Sequence, residues 1–232
     1  MLLLDINKSL NFPILKNKNI LISCGATFEK IDDARAITNL SSGKMGLSIA
    51  DEAYALGAKV TLIYGRTEKV PPSGINCIYA PSHSLMNKYI KENAKNNDIF
   101  ISVAAISDFI PNNFSGKLTK KSNGLTLELQ PSTDILLETA SEFNDLFCVG
   151  FAAESKNIIK NAQAKLKNKK LKMIVANCIN ESMGQNSAEI YMIDKNEVIH
   201  VPKKTKEELA LTILKHIHKL ENKRGITHEH IN

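Results

Sequence analysis

Segments of β-type and α-type residues alternate along nearly the whole chain, and this alternation constrains the fold more than any other feature. Short runs rich in Val and Ile fall near residues 19–24, 59–64, 76–80, 98–104, 147–151 and 172–177, and several are apolar throughout. Strands buried on both faces have that composition. Helical spacing of apolar residues recurs near 43–57, 82–96, 133–142, 155–170 and 205–221. At Leu56-Gly57-Ala58-Lys59-Val60-Thr61-Leu62-Ile63 a glycine helix stop runs straight into a strand. The pattern implies a doubly wound α/β architecture with a mostly parallel sheet and ligands at the carboxyl ends of the strands. With 232 residues and 43% hydrophobic content, the chain supplies one substantial core, expected over residues 19–221.

Two regions interrupt the alternation. Residues 109–130 hold Pro111, a polar Asn/Ser/Gly stretch, a lysine cluster and the alternating run from Leu125 to Gln130. They predict a mobile loop followed by a half-exposed strand. Residues 189–201 predict a β-hairpin around Asp194-Lys195-Asn196, a small extension to the α/β core. Residues 1–18, with Pro13 among lysines and asparagines, are expected to form an N-terminal arm or linker, and residues 222–232 a frayed polar tail.

Asn39-Leu40-Ser41-Ser42-Gly43-Lys44-Met45-Gly46 lies between the first strand and the first helix. Two hydroxyls and two glycines at a helix start leave backbone N–H groups unobstructed. With the positive end of the helix dipole they form a seat for phosphate. The segment is not a Walker A loop, which needs glycine at Thr38 and Ser or Thr at Met45, and it does not read GxGxxG. It points to a phosphate loop of another kind.

Composition narrows the partners. Lys and Arg number 30 against 24 Asp and Glu, a net charge of +6 that suits an anionic small molecule. Tryptophan is absent and the few aromatics do not interleave with the lysines, so no nucleic-acid surface is expected. Cys24, Cys77, Cys148 and Cys178 are widely spaced and form no CxxC pair, as expected of reduced thiols in a cytoplasmic protein. Met1-Leu2-Leu3-Leu4 is cut short by Asp5, too brief for a signal peptide, and no run is long enough to predict a membrane span. His216 and His218, two apart on one helix, predict no shared site.

Further segments line up with the phosphate loop. Gly25-Ala26-Thr27 follows the first strand, and Ile31-Asp32 and Arg35 precede Asn39. Ala104-Ala105-Ile106-Ser107-Asp108-Phe109 closes a central strand, and Lys117-Leu118-Thr119-Lys120 sits in the loop. Gly150-Phe151-Ala152-Ala153-Glu154 and Val175-Ala176-Asn177 end two later strands. In this order and spacing they resemble phosphopantothenoylcysteine synthetase, and most nearly the synthetase half of the bacterial bifunctional decarboxylase/synthetase, from about Asn19 to about Leu220. The sequence departs from the family pattern at Ala26, Phe28, Asp33 and Leu40, none of which replaces a catalytic charge or amide.

The resemblance implies a Rossmann-like ligase of coenzyme A biosynthesis. Such an enzyme joins 4′-phosphopantothenate to cysteine, splits CTP to CMP and pyrophosphate through an acyl-cytidylate, and uses Mg²⁺. It implies Asn39 and Lys117 as catalytic residues, Asn39 and Lys120 in substrate binding, and Asp108 as the metal ligand. For the nucleotide it implies Ser41, Ser42, Gly43, Ala104, Ala105, Asp108, Lys117, Thr133, Asp134, Ile135, Leu136, Phe151, Lys165 and Lys169. Arg35 is implied to reach a phosphate across a homodimer with shared active sites. A fused or separate decarboxylase is the implied partner, and no flavin is expected in this chain.

Taken alone, several of these residues have plainer explanations. Lys117 and Lys120 read equally as a solvated loop, Asp108 as a turn residue, and Arg35 as the ion-pair partner of Asp32 or Asp33. Phe151 reads as core, and Lys165 and Lys169 as solvated helix lysines one turn apart. Two other function classes compete. An NAD(P)-dependent oxidoreductase would share the βαβ start, but the GxGxxG loop is missing and the second strand ends at Arg66 with no acidic residue. A non-catalytic nucleotide-binding domain would have little use for a cationic lid.

Overall fold

The structure, a computed structural model, describes residues 13–112, 114–120, 124–182 and 184–229. Most of the expected N-terminal arm and the end of the expected tail lie outside the described residues. Among the described residues there are twelve strands: β1 (Asn19–Cys24), β2 (Phe28–Lys30), β3 (Ala36–Thr38), β4 (Lys59–Tyr64), β5 (Asn76–Tyr79), β6 (Ile99–Ser102), β7 (Phe109–Pro111), β8 (Leu129–Pro131), β9 (Phe147–Glu154), β10 (Met173–Cys178), β11 (Ser187–Asp194) and β12 (Val198–Thr205). The helices are α1 (Lys44–Ala55), α2 (His83–Ala94), α3 (Ile135–Glu142), α4 (Ile158–Asn168), α5 (Ile179–Ser182) and α6 (Lys206–Glu229).

Eight strands form one sheet in the order β12-β11-β10-β9-β6-β1-β4-β5. From β10 to β5 every pairing is parallel. The expected hairpin is present, but β11 pairs antiparallel with β10, so it extends the main sheet instead of standing apart from it. From β1 the chain winds outward through β4 and β5, then returns to the other side of β1 with β6. That reversal is a topological switch point, and it opens a crevice beyond the carboxyl ends of β1 and β6.

Alternate residues of each parallel strand feed two cores. Ile20, Ile22, Val60, Leu62, Ile99, Ile101, Val149 and Val175 face the layer of α1 and α6. Leu21, Ile63, Phe100, Cys148, Ile174 and Ala176 face the layer of α2, α3 and α4. This two-faced burial is why the strands read as apolar runs. Gly57 ends α1 at φ 92°, in the left-handed region predicted for a helix stop. Leu15 is fully buried and its N–H donates to the Leu56 carbonyl at 3.1 Å, so the end of the expected arm belongs to the core.

Two local expectations are revised, and one about the cysteines stands. The run from Leu125 to Gln130 is not a strand throughout, since only Leu129–Pro131 pairs with β7. Leu125 and Leu129 are exposed, so their alternation has no sheet to bury against. The expected frayed tail is helical through Glu229 as part of α6. All four cysteines are free, and Cys24 and Cys148 are buried.

Candidate functional site

The crevice at the switch point is a cleft of about 240 Å³. Gly25 after β1, Val103, Ala104 and Ala105 after β6, Phe151 and Ala153 from β9, and Val175 and Asn177 from β10 form its walls. Ser41, Ser42, Gly43 and the first residues of α1 complete the lining together with Ser182, Gly184 and Lys206, and Lys44 Nζ donates to the Gly184 carbonyl at 2.9 Å. Of the residues expected around a nucleotide, the structure thus gathers Ser41, Ser42, Gly43, Ala104, Ala105 and Phe151 on one surface.

Local folding explains that grouping. Gly43 is the N-cap of α1 at φ 75°, and no side chain caps the helix. Its N–H is directed to Ser41 Oγ at 3.3 Å, which bends the loop under the first turn. The first N–H groups of α1 therefore meet the cleft without a side-chain acceptor, and they carry the positive end of the helix dipole. Gly46 has a different task from the one expected of it. A Cβ there would lie 2.6 Å from Cys24 Sγ, so its bare backbone is what lets α1 pack on β1. Burial pushes the Cys24 thiol up to about 12, which leaves it an inert packing group beside the loop.

Asn39 joins the loop to the opposite wall. Its Nδ2 donates to the Ala105 carbonyl at 3.0 Å, and the Thr27 N–H donates to the same oxygen at 3.2 Å. The Ala105 N–H is committed to the Gly25 carbonyl and the Ala104 N–H to Ser23 Oγ. Ala104 and Ala105 therefore contribute short side chains, and the β1 and β6 ends are locked in register.

The lysine loop is tethered nearby by Asp32, a residue the sequence offered as part of the Ile31-Asp32 segment and as a possible partner for Arg35. Asp32 is 1% exposed at the β2–β3 turn. Its Oδ1 accepts from the Ala34 and Arg35 N–H groups, at 2.8 and 2.7 Å. Its Oδ2 accepts from Arg35 Nε and from the Leu118 N–H, both at 3.0 Å. Arg35 Nη2 returns to the Leu118 carbonyl at 2.7 Å. The ion-pair alternative for Arg35 is thus realised within the chain, and it fixes the backbone next to Lys117. The side chains of Lys117 and Lys120 are exposed and do not line the cleft.

The Arg35 guanidinium holds the Asp32 carboxyl well below the usual carboxylate range; burial opposes this, while the N–H groups of Leu118, Ala34 and Arg35 support it. A depressed carboxylate stabilises the fold fully above its unfolded value of about 4 and loses that effect as pH falls toward its folded value. Asp32→Asn should therefore melt several degrees below the parent at pH 7, and the gap should narrow steadily between pH 4 and pH 2. Faster proteolysis around residues 116–120 should accompany it. A gap independent of pH would show that the charge of Asp32 is not what holds the loop.

The other expected residues lie apart from the cleft lining. Ile135 and Leu136 are buried in the core under α3. Asp134 caps α3 through the Leu137 N–H at 3.0 Å and pairs with Lys169 at 2.8 Å. The Thr133 carbonyl meets His83 Nε2 at 2.8 Å, and Lys165 pairs with Glu154 at 2.6 Å. Burial raises the proton affinity of Glu154, but the hydrogen bonds from Lys165 and Asn161 outweigh it and leave its pKa lowered. Asp108 is exposed immediately before β7, in the segment that follows β6, and its backbone carbonyl accepts from the Ser132 N–H at 2.9 Å.

Sequence reasoning missed Ser182 and Lys206 on the cleft wall, and quoted Lys44 only as part of the phosphate-loop segment. Asn177 was quoted only as part of a motif; its amide donates to Ser182 Oγ, which in turn donates to the Cys178 carbonyl at 2.7 Å. Among the described residues, the one grouping of His, Asp and Glu at metal-binding separations is Asp194, Glu197 and His216. It lies at the end of the strands away from the cleft, where Asp194 pairs with Met173 at the start of β10. The Asp194 carboxylate already accepts the N–H groups of Asn196 and Glu197, and His216 holds α6 to it at 3.1 Å. That grouping is a structural clasp.

Fold and cleft together define a doubly wound α/β protein with an anion-ready crevice at its switch point. The chain belongs to the family described as the DNA/pantothenate metabolism flavoprotein C-terminal domain, whose model matches residues 15–220. It is 38% identical over 205 residues to the coenzyme A biosynthesis bifunctional protein CoaBC of Borreliella burgdorferi, covering 87% of this chain and 52% of that protein. The protein of the same name from Bacillus subtilis is 35% identical over 218 residues, covering 91% of this chain and 53% of that one. The chain thus spans about half the length of the curated relatives it matches. A solved C-terminal domain of the bifunctional protein CoaBC superposes with a TM-score of 0.80 at 35% identity, over 91% of this chain and 99% of that one. No helix among the described residues is long and apolar enough to cross a membrane.

Proposed function

We propose that this chain is a phosphopantothenate–cysteine ligase of coenzyme A biosynthesis, driven by CTP. The observation that carries this reading is the uncapped start of α1, joined through Asn39 to the β6 wall of the same cleft. A carboxylate is a poor acyl donor at neutral pH and needs activation. Its oxygen attacks the α-phosphorus of CTP, pyrophosphate leaves, and the amine of cysteine displaces CMP from the acyl-cytidylate to form the amide. The protein's share is to align two anions and neutralise the charge gathering at phosphorus.

On this reading Ser41, Ser42 and Gly43 seat phosphate, and Ala104, Ala105 and Phe151 wall the pyrimidine end. Thr133, Asp134, Ile135, Leu136, Lys165 and Lys169 support the outer rim through their ion pairs and core packing. Lys117 and Lys120, on the segment tethered by Asp32, close over the phosphates and exclude water from the anhydride. The Asp108 carboxylate is exposed beyond β6. One carboxylate with substrate phosphates is a donor set that suits Mg²⁺, which would spread the phosphate charge. Arg35 serves the site of a second copy in a homodimer, for which its bonds to Asp32 and Leu118 must rearrange. The enzyme is placed in the cytoplasm, acting beside a fused or separate decarboxylase.

Pyrophosphate release measured with CTP, Mg²⁺ and 4′-phosphopantothenate, with and without cysteine and again with ATP, tests the proposal. Cysteine-stimulated release with CTP is expected, and no release in any combination would overturn it. Lys117→Gln should remove even the first step, lowering release by about 100-fold or more. Retained release in that variant would refute the role given to Lys117.

A further inference from the structure

Lys206 is the first residue of α6, and it lines the same cleft as the start of α1. Its backbone N–H donates to the Asn186 carbonyl at 3.0 Å, which fixes the helix start against the loop before β11. The residue is 7% exposed. No carboxylate among the described residues pairs with its ammonium. Glu208, two residues on, is occupied by the Thr205 N–H at 2.9 Å. The nearest cation, Lys44, is held by Glu68 at 3.3 Å and donates to the Gly184 carbonyl at 2.9 Å. Val103, Val175 and Ile190 supply apolar wall around it. A lysine this buried as a residue, with no carboxylate paired to its ammonium among the described residues, is unfavourable in such surroundings, and its natural complement is an anion. Burial and then the repulsion of Lys44 depress its proton affinity, as expected where a counter-charge has yet to arrive.

We propose that Lys206 anchors an inner phosphate subsite, where a phosphate ester or polyphosphate sits between its ammonium and the uncapped first turn of α1, with Lys44 as a second cation. This rests on the reading of the cleft as a nucleotide site and adds a residue to it. Lys117 and Lys120 cover the phosphates from the exposed loop, whereas Lys206 receives them from inside, where the low dielectric strengthens a charge-assisted hydrogen bond. The subsite takes either the polyphosphate of the nucleotide or the phosphate of the pantothenate ester, which share the same chemistry.

Calorimetric titration of the parent, Lys206→Met, Lys206→Gln and Lys206→Arg with pyrophosphate, CTP, CMP and 4′-phosphopantothenate separates these sources. Melting curves on each variant establish folding. The neutral variants should lose about 10- to 100-fold in affinity for one class of ligand, while Lys206→Arg keeps most of it. Loss confined to CTP and pyrophosphate assigns the subsite to the nucleotide. Loss confined to 4′-phosphopantothenate assigns it to the ester. Folded neutral variants that bind all four ligands as the parent does would overturn the proposal and leave Lys206 a structural cation. A parent that binds pyrophosphate through Lys206 but never releases it from CTP would sink the ligase reading and leave the subsite standing.

Discussion

Replacing Asn39 with alanine is expected to separate the two halves of the proposed reaction. The side chain is half-buried, and its Nδ2 is committed to the Ala105 carbonyl at 3.0 Å. Among the described residues no group donates to its Oδ1, so in the proposed reaction that oxygen would accept from the incoming amine while the amide plane stays fixed. Activation of the carboxylate at phosphorus makes no demand on that oxygen, but attack by the amine does. Asn39→Ala should therefore still release one pyrophosphate per site while amide formation falls by about 100- to 1,000-fold, the usual scale for a single positioned polar group. Asn39→Asp should do worse in both steps, because a carboxylate would face the Ala105 carbonyl and repel phosphate. Quench-flow with labelled CTP, scoring anhydride and amide separately, distinguishes these outcomes. Normal complete turnover in Asn39→Ala would end the assignment.

The central sheet was legible because its strands are buried on both faces. Ile20-Leu21-Ile22 and Ile99-Phe100-Ile101 have no solvent side, so their composition alone marks them. The paired segments β2–β3 and β7–β8 were not legible. At three residues each, they are too short to display a period, and what pairs them is tertiary. The hairpin of β11 and β12 was visible as a hairpin, but its docking on β10 depends on which sheet edge is free when the chain arrives. The run at Leu125–Gln130 misled for the converse reason, since alternation predicts a strand only where a partner exists.

The site divides along the same line. Ser41, Ser42 and Gly43 are contiguous and chemically distinctive, so the loop showed in the sequence. Lys206 was invisible, because one lysine at a helix start in a lysine-rich chain carries no local mark; its burial arises from β12 and α6 meeting the crevice. Lys165 and Lys169 were named through the resemblance alone, and their pairing with Glu154 and Asp134 ties the helix to the end of β9 and the start of α3. Asp32 gathers five donors because of a turn closed by contact with a loop more than eighty residues away.

The largest effect on stability is expected at Gly46, where fold and site depend on one missing methyl group. A Cβ there would lie 2.6 Å from Cys24 Sγ, 2.8 Å from Cys24 Cβ and 3.3 Å from Cys24 Cα. The sulfur cannot swing away freely, because it is buried and directed to the Gly43 carbonyl at 3.2 Å. Alanine normally gains about 1 kcal/mol over glycine inside a helix. Here overpacking of about 3 kcal/mol, the upper end of its usual range, opposes that gain. The net loss of about 2 kcal/mol lowers the melting temperature by roughly 5 °C in a chain of this size. Displacement of α1 also carries its N-terminal turn away from Asn39 and Ala105, so phosphate affinity should fall together with stability. The partner change identifies the cause. Cys24→Ala removes the 2.6 Å contact but keeps the 2.8 Å one, whereas Cys24→Gly removes both. Cys24→Gly combined with Gly46→Ala should therefore recover more of the clash energy than Cys24→Ala combined with Gly46→Ala, read as the coupling term of a double-mutant cycle. Zero coupling in both cycles would mean that α1 does not rest on β1 through this contact, and the explanation of the phosphate loop's position would fall with it.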